Sequence, residues 1–328
     1  MVIWVERLNV GVIGVGNMGK NHVRIYSQLP HLVKLIGVYD PDPTCGTAVE
    51  SQYQIKAFPT PEELLSNVDA VSVVVPTSLH HAFTVKCLKA GAHVLVEKPI
   101  AASIEQAEQM IAYAKAKSRV LLVGHVERYN PAIQELKKIL ADEEPIALSF
   151  LRLSPYDARI QDTDVVLDLM IHDLDILLFL LDSPLRVIQA LGVHVHSNEL
   201  VDYAAAQCLT DKKQLVTLTA SRITEKRVRK LLISTSSSFV EVDYIERKIC
   251  INRRTNISSY LSGKDLSYRQ ESLVETVLVP NIEPLLAEIL DFITSIQRKV
   301  TPQVDGSAGL AAFRLGLEIQ NQINCNAN

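Results

Sequence analysis

The sequence predicts an α/β protein in two parts: a doubly wound parallel sheet over residues 1–124, followed by an α+β part over 125–328 built on a largely antiparallel sheet. Three observations carry this expectation. Up to about residue 124, short apolar runs alternate with helical patterns, the mark of βαβ units. Beyond it, strand-like segments follow one another directly, as hairpins and meanders do. A glycine-rich turn, Gly14-Val15-Gly16-Asn17-Met18-Gly19, separates the first strand from the first helix.

In the first part, strands are expected at Asn9–Ile13, Val33–Tyr39, Ala70–Val75, His93–Val96 and Val120–Val123. The helix expected over Ile104–Lys117 places Ile104, Ala107, Ile111 and Ala114, with Glu108, on one face. A helix over Pro131–Leu140 opens the second part. Strands then follow at Ile146–Leu153, Arg186–His196, Tyr203–Leu209, Leu215–Ser221, Val228–Ser234, Phe239–Asp243 and Lys248–Asn252, all with alternating or β-branched character. Two helices close the chain. Glu283–Lys299 is expected to turn Leu286, Ile289, Leu290, Ile293 and Ile296 inward, and Ser307–Ile323 follows.

The 328 residues are 48% hydrophobic and 21% charged, ordinary for a globular protein and unlike a disordered one. A net charge of -4 supplies no basic face for nucleic acid. The run Ile176–Leu181 falls far short of the roughly 20 residues that cross a bilayer, so no membrane association is expected. The first residues lack a basic stretch leading into a long apolar core, so no signal peptide is read and a cytoplasmic location is expected. The odd number of scattered cysteines, Cys45, Cys87, Cys208, Cys250 and Cys325, suits free thiols in a reducing compartment.

The glycine turn follows a strand and precedes a helix, which is the setting of a dinucleotide site. Gly14 permits the tight turn, Gly16 lets the backbone approach a pyrophosphate, and Gly19 lets helix and strand pack closely. Unpaired N–H groups at the helix start then face the anion. Asp40 ends the second strand, about 20 residues after Gly19, where a carboxylate hydrogen-bonds the adenosine ribose. With Asp42 beside it, Asp40 would repel a 2′-phosphate, which selects NAD over NADP. The competing reading of Asp40 is a solvated turn acid within Asp40-Pro41-Asp42-Pro43.

Two segments bear reactive side chains. Glu97-Lys98-Pro99 ends a strand, where open α/β sheets bind their ligands, so Lys98 is aimed at the reaction site and is suited to proton transfer. The peptide before Pro99 is cis or trans. The second segment, Asp164 to Asp175, would as a helix place Asp168, His172 and Asp175 on one face. A carboxylate one turn from an imidazole fixes its tautomer and raises its basicity. A metal on this stripe lacks a further His or Cys motif to complete its ligands, so none is expected; a structural histidine is the other alternative. His80 and His81 begin a helix after Pro76-Thr77-Ser78-Leu79, and periodicity leaves open which of them faces the cofactor. The basic run Arg222–Lys230 is given no role. Arg152 and Arg159 precede the Asp168 segment and are candidates to meet a phosphate.

Gly14 to Gly19, Pro76-Thr77-Ser78-Leu79-His80, Ala90-Gly91-Ala92-His93-Val94, Glu97-Lys98-Pro99, Gly124 to Pro131 and Asp168…His172, in this order and spacing, resemble the glucose-fructose oxidoreductase/inositol dehydrogenase (Gfo/Idh/MocA) family over nearly the whole chain. The resemblance implies a Rossmann domain followed by a domain with a large, open, mostly antiparallel sheet, often used for dimer or tetramer contacts. A homodimer or homotetramer is therefore expected. It also implies NAD as cofactor, oxidation or reduction of sugar or cyclitol carbons, and Lys98, Asp168 and His172 as the catalytic residues. It favours His80 over His81 near the cofactor. The cofactor set becomes Gly14, Gly16, Asn17, Met18, Gly19, Asp40, Pro76, Thr77, His80, Glu97 and Lys98. The substrate set becomes Lys98, Arg128, Tyr129, Arg152, Arg159, Asp168 and His172.

Within the family, the Gly124–Pro131 and Val165–Asp175 stretches are similar to those of UDP-N-acetylglucosamine 3-dehydrogenases. Such enzymes form a 3-keto nucleotide sugar that an aminotransferase converts to a 3-amino sugar for lipid A. One departure concerns the entry to the Asp168 segment, where Asp164-Val165 replaces the Gly-Gly that many members carry. A dehydrogenase of a free sugar or inositol is the alternative within the class. A non-catalytic regulator that binds NAD and a sugar is the alternative outside it, disfavoured by the intact Lys98, Asp168 and His172.

Overall fold

The computed structural model describes residues 7–157, 163–181, 183–197, 199–262 and 265–326, with side chains described outside 254–272. The chain divides into two compact units. One comprises Met1–Tyr129 and Glu283–Arg314, the other Asn130–Ile282 and Leu315–Asn328.

In the first unit, β1 (Leu8–Ile13), β2 (Val33–Tyr39), β3 (Lys56–Ala57), β4 (Ala70–Val73), β5 (His93–Glu97) and β6 (Leu121–Gly124) form a parallel sheet of order β3-β2-β1-β4-β5-β6. Ala70–Val73 and Leu121–Gly124 are buried throughout, because a parallel sheet is covered on both faces and its strands are apolar without alternation. The connecting helices include α1 (Asn17–Ser27), α2 (Pro43–Tyr53), α3 (Pro61–Leu65), α4 (Thr77–Ala90) and α5 (Ile104–Ala116). Three of these start on side-chain caps, as Asp42, Thr60 and Ser103 accept from Thr44, Glu63 and Gln106 N–H groups. The strand order reverses at β1, between β2 and β4, and this crevice is where such sheets bind ligands.

The last strand of the parallel sheet ends at Gly124, but the first unit runs on to Tyr129 and takes in Glu283–Arg314 from the chain's end. Helix α8 (Pro284–Arg298) buries Leu285, Ile289, Phe292 and Ile293 in one core with Val10, Val12, Val33 and Val38. The doubly wound sheet needs a helix on each face, and a segment distant in sequence supplies one. The buried stripe of α8 is also turned from the expected one: Leu285, Glu288 and Phe292 lie inward, while Leu286 and Leu290 are only partly buried.

The second unit holds α6 (Pro131–Ile139), α7 (Ile171–Leu180) and an eight-stranded sheet of β7 (Pro145–Leu153), β8 (Leu185–Val193), β9 (Tyr203–Thr210), β10 (Leu215–Ser221), β11 (Val228–Thr235), β12 (Ser238–Asp243), β13 (Lys248–Ser262) and β14 (Asp265–Val277). Its order is β14-β13-β12-β11-β7-β10-β9-β8. Among the described residues, β7–β10 is the one parallel pair of this sheet. Alternate residues such as Ala204, Ala206 and Cys208, or Val216, Leu218 and Ala220, enter the core. Leu174 and Leu177 of α7 join them, with Leu315, Ile319 and Ile323 of α9 (Gly306–Asn326). The opposite face exposes Ile188, Leu191, Val193, Leu215 and Phe239. Among the described residues no helix is long and apolar enough to cross a membrane.

Candidate active site

The three glycines of the Gly14–Gly19 turn stand in different surroundings. Gly14 has φ 87°, in the left-handed region, and a Cβ there would overlap the Val74 carbonyl oxygen. A Cβ on Gly19 would overlap the Gly14 carbonyl oxygen, so α1 and β1 approach only through a bare backbone. At Gly16 a Cβ would meet nothing within 4 Å, which leaves the turn open on its outer side. Gly16 is also the N-cap of α1 and brings no side-chain cap, so the helix start keeps N–H groups for an anion. Asn17 is exposed and Met18 half-buried at this helix start.

Asp40 lies at the end of β2 against the same turn. Its Oδ2 accepts from Val15 N at 2.6 Å and its Oδ1 from Asp42 N at 2.8 Å. The carboxylate thus braces the glycine turn and caps its own acidic turn. Pro76 is the N-cap of α4, again without a side-chain cap, and Thr77 is its first residue, which adds a second open helix start at the carboxyl edge of the sheet. The residues fit NAD: the open space at Gly16, the uncapped α1 and the acid ending β2 are what its pyrophosphate and ribose require.

The two histidines of α4 part company. His81 is half-buried, with its Nε2 2.9 Å from Gln109 Oε1. His80 is 1% exposed, and its ring nitrogens lie 2.8 Å from the carbonyl oxygens of Pro99 and Val75. Burial holds its pKa below the ordinary value, against the two carbonyls that favour the charged ring. His80 therefore ties the end of β4 to the Lys98–Pro99 segment and does not present its ring as a cofactor ligand. The Lys98–Pro99 peptide is cis.

Glu97 also differs from its expected place at the cofactor. Its Oε1 takes His22 Nε2 at 3.1 Å and its Oε2 accepts the Lys98 backbone N–H at 3.2 Å. Burial works to raise its pKa, but the His22 hydrogen bond, with the charges of His22, Lys98 and His80, holds it below the usual carboxylate value. His22 itself is fully buried and was not anticipated. The available signal was a polar residue on the inward stripe Gly19, His22, Val23 and Tyr26 of an otherwise amphipathic helix.

In the second unit the Asp168 segment is helical, though not as a plain α-helix. Val166–Met170 forms a π turn that runs into α7. Such a turn is wider than 3.6 residues, so positions four apart stack more nearly above one another than in an α-helix. Asp168 and His172 are half-buried, whereas Asp175 is fully buried. The entry that departs from Gly-Gly is capped by its own side chain: Asp164 Oδ1 accepts from Val166 N at 3.0 Å and Leu167 N at 3.1 Å, and Gln320 Nε2 donates to Oδ2 at 2.8 Å.

Three expected substrate ligands are corrected. Arg152 is 0% exposed, and its Nε and Nη2 donate to Asp173 at 2.9 and 2.7 Å, because an inward position on β7 forces the guanidinium to be neutralised. Arg128 is 5% exposed and donates to the Gln303 carbonyl at 2.9 Å. The Tyr129 hydroxyl donates to Asp291 Oδ2 at 2.7 Å. These two side chains bind the Val126–Tyr129 turn to α8 and the loop after it. Arg159 lies outside the described residues.

An open dinucleotide turn, with a lysine directly after β5 of the same parallel sheet, places the protein in the class of NAD-binding oxidoreductases, here a dehydrogenase acting on a CH–OH group. Residues 8–125 match the family described as "Oxidoreductase family, NAD-binding Rossmann fold" and residues 150–238 the "GFO/IDH/MocA C-terminal domain". The chain belongs to the Gfo/Idh/MocA oxidoreductase family.

UDP-N-acetylglucosamine 3-dehydrogenase of Acidithiobacillus ferrooxidans is 32% identical over 315 residues, covering 95% of this chain and 96% of that protein. A solved structure of that enzyme aligns with a TM-score of 0.87 at 31% identity, covering 98% of this chain and 99% of the other. Inositol 2-dehydrogenase 1 of Saccharopolyspora erythraea is 29% identical over 226 residues, covering 66% of this chain and 65% of that protein. The scyllo-inositol dehydrogenase of Lactobacillus casei, solved with NAD(H) and scyllo-inositol, shares the fold with a TM-score of 0.80 at 17% identity and 98% coverage of each chain.

Proposed function

We propose that this dehydrogenase oxidises the C3 hydroxyl of UDP-N-acetylglucosamine to the 3-keto nucleotide sugar. The observation that carries the reading is the 32% identity, over 95% of the chain, to an enzyme named for that reaction. Lys98, Asp168 and His172 stand in the motifs from which the catalytic roles are inferred. NAD, when bound, supplies the hydride acceptor.

His172 takes the proton of the substrate hydroxyl. Asp168, four residues earlier across the π turn, orients the imidazole and stabilises its charged form. Lys98 assists by stabilising the developing alkoxide, and Glu97 holds its backbone. Gly14, Gly16 and Gly19 shape the pyrophosphate seat, Asp40 meets the ribose, and Pro76 and Thr77 flank the cofactor edge. Of the two arginines preceding Asp168, Arg159 is the one assigned to the diphosphate. The apolar outer face of the second unit's sheet, with Leu191, Val193 and Phe239, supports a homodimer or homotetramer. In a cytoplasmic setting the keto product would pass to an aminotransferase and on to a 3-amino sugar of lipid A.

A second reading, oxidation of a free cyclitol, is favoured by relatives such as the 29% identical inositol 2-dehydrogenase 1. One experiment separates the two. The purified protein is incubated with NAD and, separately, UDP-N-acetylglucosamine, other nucleotide sugars, myo-inositol and glucose, with NADH followed by absorbance and products by mass spectrometry. NADH and a keto product from UDP-N-acetylglucosamine are expected. Turnover of myo-inositol with none of the nucleotide sugar overturns the reading.

A further inference from the structure

A chain of hydrogen bonds runs through the interior of the first unit and ends at Lys98. Tyr26 OH lies 2.8 Å from Ser72 Oγ, and Ser72 Oγ lies 3.1 Å from His22 Nδ1. His22 Nε2 lies 3.1 Å from Glu97 Oε1, and Glu97 Oε2 accepts the Lys98 N–H at 3.2 Å. Tyr26, Ser72 and His22 are all at most 1% exposed. A single tautomer satisfies every link: Tyr26 donates to Ser72, Ser72 donates to Nδ1, and the Nε2 proton goes to Glu97.

We propose that His22, oriented by Ser72 and Tyr26, is a positioning residue for catalysis, holding the Glu97 carboxylate turned inward so that it fixes the backbone of Lys98. The proposal rests on the assignment of Lys98 to the reaction made above. Two physical reasons support it. Three elements, α1, β4 and β5, contribute to the chain that ends on the residue after β5, so the lysine is referenced to the sheet and to the helix that opens on the cofactor turn. A buried carboxylate also needs a donor to stay ionised, and His22 is that donor. The groups facing Glu97 are His22 from α1, Lys98 beside it, His80 from α4 and Glu288 from α8, of which a carboxylate oxygen comes within 4.8 Å of a Glu97 carboxylate oxygen and a His22 ring nitrogen. With Glu288 so near, loss of the His22 donor leaves Glu97 beside a second carboxyl group and favours its protonation.

The test compares His22→Gln, whose amide reaches the Nε2 position and still donates to Glu97, with His22→Asn, whose amide reaches only toward Ser72. Ser72→Ala and Tyr26→Phe remove successively more distant links. For each, Glu97 is titrated by isotope-edited infrared spectroscopy of its carboxyl group in the NAD-bound protein, and kcat with UDP-N-acetylglucosamine is followed across pH. His22→Asn is expected to lower kcat by ~10- to 100-fold, the scale of a misplaced reacting group, with NAD affinity kept. It should also move both the Glu97 titration and the acid limb of kcat to higher pH. His22→Gln stays within a few-fold of the parent, about the scale of one retained hydrogen bond, and the effect shrinks from Ser72→Ala to Tyr26→Phe.

Thermal denaturation and NADH binding identify any variant that does not fold, in which case Ser72→Ala carries the comparison. A Glu97 titration and kcat profile unchanged in His22→Asn, or the same change in Gln and Asn variants, overturns the proposal. Full activity of Lys98→Ala overturns the assignment of Lys98 instead. The infrared titration needs no substrate and reports on the His22–Glu97 link in either case.

Discussion

The glycine turn of the first unit and the Asp168–His172 turn of the second are the two short segments to which the proposed chemistry is assigned, yet their shapes have different origins. Gly14 and Gly19 are dictated locally, one by a positive φ and the other by contact with the Gly14 carbonyl, while Gly16 between them faces open space. The second turn is dictated by its surroundings. Asp164 caps it, Gln320 from α9 holds that cap, and Asp173 is drawn inward to Arg152. A motif governed by backbone sterics survives in the sequence as spacing. One governed by packing leaves residue types without their geometry.

The sharpest way to break the contrast is to remove the reactive groups themselves. Lys98→Ala and His172→Ala should each lower kcat by about 10²- to 10⁴-fold, the scale of a lost general acid or base, with NAD affinity nearly unchanged in a fluorescence titration. Full activity in either removes that residue from the mechanism. Next in size is the Arg152–Asp173 pair. Arg152→Met strands a buried carboxylate and should cost about 3–5 kcal/mol in chemical denaturation, whereas Arg152→Met with Asp173→Leu should recover most of it. A raised KM for the nucleotide sugar at intact stability would instead return Arg152 to the substrate.

The glycines offer a smaller and more selective effect. Gly14→Ala should lose stability, by at least the ~1–2 kcal/mol of a left-handed residue with a Cβ. Gly16→Ala should melt like the parent and bind NAD more weakly, and equal melting losses in both would contradict separate roles. The smallest effect concerns His93, whose Nδ1 accepts the Val120 N–H at 2.9 Å. Burial, helped by Arg119, pushes its pKa down from 6.5 to about 4. Between those values the unfolded chain binds the extra proton, so stability falls as pH is lowered through this window. His93→Asn, which keeps an acceptor for Val120, should flatten that slope in denaturation curves measured across pH.

Much of the fold was legible. Val33–Tyr39 and Leu215–Ser221 match the expected strands residue for residue, since alternation or continuous apolarity marks them directly. The end of β13 and all of β14 were not, because Arg253-Arg254-Thr255-Asn256 and the Ser258–Ser259 pair show no apolar period, and the ladder between the two strands sets their structure. Helix α8 was found, yet its membership of the first unit was hidden, since an apolar stripe does not name the sheet it covers.

The site shows the same division. Gly14 to Gly19 form the turn between β1 and α1, and Asp40 follows β2 with its carboxylate on Val15 N. Arg128, Tyr129 and Arg152 are polar residues spent inside the protein, and sequence cannot tell a buried pair from a presented ligand. His22 was passed over for the converse reason: its partners Ser72 and Glu97 lie 50 and 75 residues away.

The most direct measurement of the central claim uses UDP-N-acetylglucosamine carrying deuterium at C3, incubated with the protein and NAD. Transfer of the label to the reduced cofactor, together with a keto sugar lacking it, is the predicted result. Unlabelled NADH, or no NADH from this substrate while myo-inositol is oxidised, would contradict it.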